Sequence, residues 1–197
     1  MSFDFKSNYI LENKRVRLEP LQKNHFYKLK DIAHEEYIWT YFLGRSNGKK
    51  NFKGYVNEAV EFREKEKEYP FAIYDKITQR YAGSTRLFEI SNEFNVARLG
   101  YTWYGKDFRG TGLNKNCKFL LFDFAFKQIQ FERLGLGAHE ENDVSLMAMK
   151  SATCSEEGRL RNLFPSIHKK GRSDAILFGI LKEEWLTVKR EILKNKL

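Results

Sequence analysis

The stretch YTWYGKDFRGTGLNK, residues 101–115, decides how the chain is read. It opens with aromatic and β-branched residues that favour a strand. It then passes Gly105, Gly110 and Gly112 and enters NCKFLLFDFAFKQIQ, an apolar segment of helical length. A helix that begins directly after glycines presents backbone N–H groups without intrahelical partners at its positive end, where phosphate oxygens bind well. Glycine lets a ligand reach those amides because no Cβ stands in the way. The segment is neither the GxxxxGK[ST] of a Walker site nor a complete GxGxxG, so taken alone it is as much a strand-to-helix turn as a pyrophosphate cradle.

Working outward, the alternation before this stretch predicts three strands, 71–75, 81–90 and 96–104, joined by the short polar links DKITQ and SNEFN of an antiparallel meander. Further upstream, 15–18 alternates as a short strand that Pro20 ends. A helix follows from Asn24 as N-cap, with Phe26, Leu29, Ala33 and Tyr37 on one face, and a second after SNGKKN, with Phe52, Tyr55, Val56 and Ala59. Downstream, 114–130 is too long for a strand and predicts a buried helix. Then come a strand at 133–138, a helix at 142–151, strands at 159–164 and 175–181, and a last helix carrying Trp185, Val188, Ile192 and Leu193. Gly135 and Gly137 inside a strand point to a bulge or to close approach of a ligand. The order β, αα, βββ, α, β, α, ββ, α mixes antiparallel pairs with at least one helical crossover.

At 197 residues, with 42% hydrophobic and 15% aromatic residues and no low-complexity linker, the chain is expected to form one domain, 1–197. A formal charge of +9 fits a nucleic-acid surface, a membrane surface or a polyphosphate ligand. Most bases alternate with acids, but Arg159, Arg161, Lys169, Lys170 and Arg172 lie in 158–173 with no acid between them, which reads as a solvated hairpin. Nucleic-acid binding through that run lacks support, since the chain has no RNP-like aromatic motif and no zinc-finger spacing. Cys117 and Cys154 form no metal-type cluster and read as reduced thiols, so no metal is expected. The N-terminal residues carry no apolar signal region and no segment approaches membrane-spanning length, so a cytoplasmic protein is expected.

The chain resembles the GCN5-related N-acetyltransferase (GNAT) family, and within it the RimJ/RimL-type branch of protein N-terminal acetyltransferases. The resemblance runs through LENKRVRLEPL, PFAIYDKITQRYAGSTRLFEI, LGYTWYGKDFRGTGLNK, SEEGRLRN and ILKEEWLTVKREI. It implies an α+β fold, a three-layer sandwich with a mixed, mostly antiparallel sheet of about seven strands flanked by helices. It also implies acetyl-CoA as co-substrate and an amine acceptor, foremost a protein N-terminal amine, attacking directly in a ternary complex; a homodimer is compatible with it. By resemblance, Arg109, Gly110, Thr111, Gly112 and Leu113 form the pyrophosphate loop, and Asn114 matches a cofactor-side asparagine common in this branch. Trp103 and Tyr104 end the strand that pairs with the pantetheine arm, and Asn142 and Ser145 contact pantetheine.

For catalysis, an N–H near Tyr104 is expected to polarise the thioester carbonyl. Glu140, Glu141 or His139 is expected as base, and Ser145 as acid, with Tyr101 or Tyr104 as substitutes. The structural alternatives are a solvated acidic pair at Glu140 and Glu141, a satisfied histidine at His139, and an N-cap at Asn142. Four departures from the family pattern stand out: Arg98 where glutamate is usual, Lys106 for proline, Met149 for a tyrosine, and Ala152 to Cys154 for the usual LGF or LGA. Arg98 and Met149 leave open a non-catalytic acyl-CoA-binding module; within acetyl transfer, a small-molecule acceptor such as an antibiotic, polyamine or amino acid also stays open.

Overall fold

A computed structural model describes residues 3–43 and 47–197; the turn-like SNGKKN begins at Ser46, which lies outside them. Eight strands form one sheet in the order β1-β2-β3-β4-β5-β6-β8-β7. They are β1 (Leu11–Glu12), β2 (Val16–Pro20), β3 (Glu68–Asp75), β4 (Arg80–Ser91), β5 (Val96–Tyr104), β6 (Arg133–His139), β7 (Ser155–Pro165) and β8 (Arg172–Leu181). All neighbours are antiparallel except β5 and β6.

The helices are α1 (His25–Ala33), α2 (Glu36–Trp39), α3 (Phe52–Glu64), α4 (Leu113–Asp123), α5 (Asp143–Ser151), α6 (Lys182–Glu184) and α7 (Arg190–Lys194). α4 runs on as a wider π turn, Phe124–Ile129, and the C-terminal segment contains another, Trp185–Lys189. No helix among the described residues is long and apolar enough to cross a membrane.

The meander matches expectation, with β5 at the predicted bounds. The sheet has eight strands rather than about seven because Leu11 and Glu12, too short for a sequence pattern, pair with Leu18 and Arg17. The first helix stops at Ala33, and Tyr37 belongs to the separate α2, whose Trp39 is buried with its Nε1 donating to the Ala33 carbonyl at 2.8 Å. The predicted helix 114–130 is realised as α4 plus its π turn, with Phe122, Phe124, Phe126 and Ile129 buried. Asp123 on it accepts from Trp185 Nε1 at 2.9 Å and from Arg190 Nε at 2.8 Å, which docks the C-terminal segment. β7 and β8 start earlier than predicted because their pairing, Ser155↔Gly179 to Pro165↔Arg172, is a long hairpin whose polar edge carries no periodic signal.

Two features of the sheet shape the site. The parallel strands β5 and β6 are neighbours only at Val96↔Arg133, Ala97↔Leu134 and Arg98↔Gly135. Beyond that, β5 follows β4 to Tyr104 and β6 follows β8 to His139, so the two part and leave a gap. Second, the β4–β5 register slips between Ser84↔Trp103 and Arg86↔Gly100, where Tyr101 and Thr102 oppose Thr85 alone, a β-bulge. Tyr101 sits there at φ 49°, a costly conformation for an aromatic residue.

The bulge is supported from behind. Arg86 is fully buried, with Nη1 2.8 Å from Glu68 Oε2 and its guanidinium 4.5 Å from the Tyr55 ring and 4.9 Å from that of Tyr101. Tyr55 in turn accepts from Trp103 Nε1 at 3.1 Å.

Candidate active site

The gap between β5 and β6 is a cleft of about 1080 Å³. Its walls are β5 from Arg98 to Tyr104, β6 from Leu136 to His139, the start of α4, one face of α5, and Tyr37 to Leu43 around α2.

At one end lies the glycine loop. Gly110 (φ 72°) and Gly112 (φ 83°) both take left-handed conformations, and a Cβ built on either meets nothing within 4 Å. The space over them is open, so glycine is there for its backbone and not to avoid a neighbour. Gly112 caps α4, and the first helical bond runs from Asn116 N–H to the Gly112 carbonyl, leaving the amides of Leu113, Asn114 and Lys115 without intrahelical acceptors. Arg109 and Lys115 stand beside this end, Arg109 with its guanidinium 4.5 Å from the Tyr37 ring.

Not every predicted loop residue faces the cleft. Leu113 is a buried core residue. Thr111 does not line the cleft; its Oγ1 donates to the Phe108 carbonyl at 2.9 Å and accepts from Arg15. The Trp103 indole is core, so only its backbone is left to face the gap. Tyr104 turns its hydroxyl inward, donating to Asn114 Oδ1 at 3.1 Å, and burial holds that phenol well above its ordinary value. It is therefore poorly suited to donate a proton in the cleft. Its carbonyl accepts from Tyr37 OH at 2.8 Å.

Asn142 caps α5, its Oδ1 accepting from Ser145 N–H at 3.1 Å. Both residues line the cleft, and the Ser145 hydroxyl has no hydrogen-bond partner among the described residues. The structure thus brings together Arg109, Gly110, Gly112, Asn114, Trp103, Tyr104, Asn142 and Ser145 around one space.

The three candidate bases do not join them as bases. Glu140 is outside the cleft, where its carboxylate accepts from Arg159 at 2.8 Å and from Asp174 N–H at 2.9 Å. Glu141 accepts from the hydroxyls of Ser166 and Ser173 and from the amides of His168 and Ile167; these bonds pull its carboxyl down to about 2, so it stays ionised as an anchor for the β7–β8 loop. His139 reaches the cleft wall, but its Nε2 lies 3.0 Å from the Pro165 carbonyl and its Nδ1 accepts from Glu141 N–H at 3.1 Å. Both ring nitrogens are occupied by backbone, which assigns the neutral tautomer with Nε2 protonated. Adjacent acids at a strand end look alike in sequence whether they face a ligand or a neighbouring strand.

Sequence patterning missed Lys118. It is only 5% exposed, yet it lines the cleft on the inner side of α4, and burial pushes its ammonium below the ordinary value of 10.5. The available signal was a charge inside the apolar run NCKFLLF. A folded-state value below the unfolded one means the unfolded chain holds more protons, so this group destabilises at neutral pH and the penalty fades as pH rises towards 10.5. Lys118→Met is expected to raise the melting temperature of the ligand-free protein at pH 7, by about 3 °C per kcal/mol recovered. Its advantage over wild type should shrink as the pH is raised; scanning calorimetry across pH 7 to about 10 checks both the sign and the trend.

Tyr41 closes one side. Its hydroxyl donates to the Glu141 carbonyl at 2.6 Å and lies 3.1 Å from His168 Nε2, tying the segment after α2 to the β7–β8 loop. Arg98 lies at the end of the cleft opposite the glycine loop, its guanidinium 5.2 Å from the Phe88 ring. Gly135 and Gly137, read from sequence as a bulge or ligand approach, make room for this side chain: a Cβ on Gly137 would lie 3.4 Å from Arg98 Nη2. The buried Met149 stands in the wall and supplies no hydroxyl.

The cleft's charge is one-sided. Arg98, Arg109, Lys115 and Lys118 line it, and no aspartate or glutamate does among the described residues. Two carboxylates beside the cleft are engaged elsewhere: Glu35 accepts from Lys106 N–H at 2.7 Å, and Glu89 pairs with Arg98 at the rim.

Comparison with known proteins places this geometry. Residues 15–154 match the family model described as acetyltransferase (GNAT) domain. A curated relative, the probable N-acetyltransferase YjcK of Bacillus subtilis (strain 168), is 29% identical over 107 residues, covering 54% of this chain; the chain spans 59% of the length of that relative. A GCN5-related N-acetyltransferase from Brucella melitensis superposes with a TM-score of 0.83 at 22% identity, covering 98% of this chain and 86% of that one. Spermidine N-acetyltransferase from Vibrio cholerae, solved with CoA and spermine, gives 0.74 at 17% identity over 89% and 100% of the two chains. Ribosomal-protein-S5-alanine acetyltransferase from Vibrio fischeri gives 0.72 at 15% over 90% and 99%. With the family model covering most of the chain, and with the parted parallel strands and the glycine loop both present, the protein belongs to the acetyltransferase (GNAT) family.

Proposed function

We propose that this protein is an acetyl-CoA-dependent N-acetyltransferase of the RimJ/RimL type, acting on the N-terminal α-amine of a polypeptide. The observation that carries the reading is the alignment of two features: the gap between β5 and β6 opens onto the N-terminus of α4, whose glycine loop leaves its amides uncovered. An acyl-CoA fits these residues. The amides at Gly110 to Asn114 with Arg109 and Lys115 would hold the pyrophosphate, and the backbone of Trp103 and Tyr104 with Asn142 would hold the pantetheine arm. When bound, this co-substrate supplies an acetyl group activated as a thioester.

The chain's own residues hold and orient the reactants, and such positioning is worth about 7–11 kcal/mol in well-aligned cases. Ser145 Oγ, which lines the cleft without a hydrogen-bond partner among the described residues, would pass a proton to the departing thiolate and take back the one that the attacking amine gives up. Among the described residues the cleft carries no carboxylate base, and the four cations that line it favour the neutral form of any amine that enters. An α-amine, with an ordinary pKa of about 7.7–8.0, reaches that form near neutral pH far more readily than a lysine-like amine near 10.4. The same charge disfavours a polyamine, although a spermidine acetyltransferase shares the fold.

Acetyl-CoA is expected to raise the melting temperature, and an equal concentration of acetyl-pantetheine, which lacks the 3′,5′-ADP portion, far less; absence of any shift with acetyl-CoA defeats the proposal. In a thiol-release assay, peptides with free N-termini should turn over at least tenfold faster than N-terminally blocked, lysine-containing peptides or spermidine. The tethering of His139, Glu140 and Glu141 favours one other reading, an acyl-CoA-binding module without turnover, which predicts the thermal shift without thiol release from any amine.

A further inference from the structure

We infer that Arg98 forms an acceptor subsite for a carboxylate, so that the preferred polypeptide carries an aspartate or glutamate within its first few residues. The inference rests on the reading above for the direction in which the co-substrate lies.

The cleft has two cationic poles. Arg109 and Lys115 stand at the glycine loop, where an anionic co-substrate uses them, whereas Arg98 is six residues back along β5 from Tyr104, about 20 Å at strand spacing. Two observations show that the fold builds a place for this guanidinium. Arg98 pairs with Gly135 across the last parallel rung, and the absence of side chains at Gly135 and Gly137 lets it lie over β6. Phe88, opposite it on β4, folds over Gly100, a Cβ on which would lie 2.9 Å from the ring, and offers its face to the cation.

The protein partner of Arg98 does not consume it. Glu89 approaches Nη1 only to 3.4 Å, and the two side chains are 37% and 63% exposed. Ion pairs this open contribute little and exchange readily. A guanidinium is charged at every working pH and presents a fork suited to a carboxylate, so it serves as a fixed specificity element and not as a base.

The chain spacing agrees. Arg98 lies three residues before the bulge at Tyr101, about 10 Å along the strand. An extended peptide whose amine is near the bulge covers that distance with its second or third residue.

The test uses the full chain with acetyl-CoA and hexapeptides starting Ser-Glu, Ser-Gln and Ser-Lys. Free glutamate and its α-amide show whether an α-carboxylate alone is enough. Wild type is expected to favour Ser-Glu over Ser-Gln by at least tenfold in kcat/KM, with Ser-Lys slowest. Arg98→Gln should bring the Ser-Glu to Ser-Gln ratio close to one, Arg98→Lys should retain part of it, and Glu89→Gln, which removes the competing carboxylate and keeps Arg98, should raise it. Equal rates on Ser-Glu and Ser-Gln in wild type, or a ratio that survives Arg98→Gln, overturns the inference, as does a preference for free glutamate over every peptide. Calorimetric binding of the same peptides to the CoA-bound protein separates the two levels. Turnover on no amine counts against acetyl transfer, while Ser-Glu and Ser-Gln binding equally counts against Arg98.

Discussion

Gly112→Asp is expected to leave the fold intact while weakening acetyl-CoA binding by more than a hundredfold. At φ 83° and ψ −8°, position 112 is left-handed, a conformation aspartate tolerates far better than most residues, and nothing stands within 4 Å of the new Cβ. It is also the N-cap of α4, where aspartate is among the preferred residues, but a side chain at this φ strains the backbone, so the ligand-free protein should still fold with a melting temperature lowered by a few degrees. The new carboxylate, however, would take the uncovered amides for itself and place a negative charge where the pyrophosphate is proposed to lie. Losing two charge-assisted hydrogen bonds costs about 3 kcal/mol or more, hence the hundredfold. Titration calorimetry gives the Kd, and an unchanged Kd in a folded Gly112→Asp protein would remove the glycine loop from the cofactor site. Gly112→Val would be a poorer test, because a β-branched residue at this φ strains the backbone and confuses folding with binding.

Arg86→Met is expected to be the most destabilising single change in the sheet, at about 3–5 kcal/mol in urea unfolding. Arg86 is fully buried and Glu68 only 5% exposed, so the pair's attraction is little screened, and removing the cation takes from the buried carboxylate its bond to Arg86. Arg86 Nε and Nη2 have no hydrogen-bond acceptor among the described residues, and the faces of Tyr55 and Tyr101 take that place. The same contact braces Tyr101 in its strained conformation at the cleft rim, so activity should fall even where enough folded protein remains. Arg86→Met with Glu68→Leu, which replaces both charges by apolar groups, should recover most of the loss; a double variant as unstable as the single would show that the charge pair is not the cause.

The elements were legible where a pattern repeats. β3, β4 and β5 alternate between short polar links, and the apolar run after the glycines is too long to be anything but helix, so the meander, the helical crossover and the glycine loop all came from order along the chain. β1 and α2 did not, because two and four residues carry no periodicity and form only when Leu18 or the core around Trp39 is already in place. The candidate bases show the limit more sharply. His139, Glu140 and Glu141 sit side by side before Asn142, and only the return of the β7–β8 hairpin, bringing Pro165, Ser166, Ser173 and Asp174 against them, decides that all three are tied up.

Charge divides the same way. Residue types along the chain determine that this protein carries a glycine loop at a helix start and an arginine at position 98. That four cations and no carboxylate line one cleft among the described residues, that Lys118 is buried in its wall, and that Gly135 and Gly137 clear a path for Arg98, follow only from strands distant in sequence parting after three rungs. Local order sets which groups and backbone shapes are available, because propensity and turn chemistry act over a few residues. What each group faces depends on contacts between segments far apart in the chain, which burial and sheet register impose at once when the fold closes.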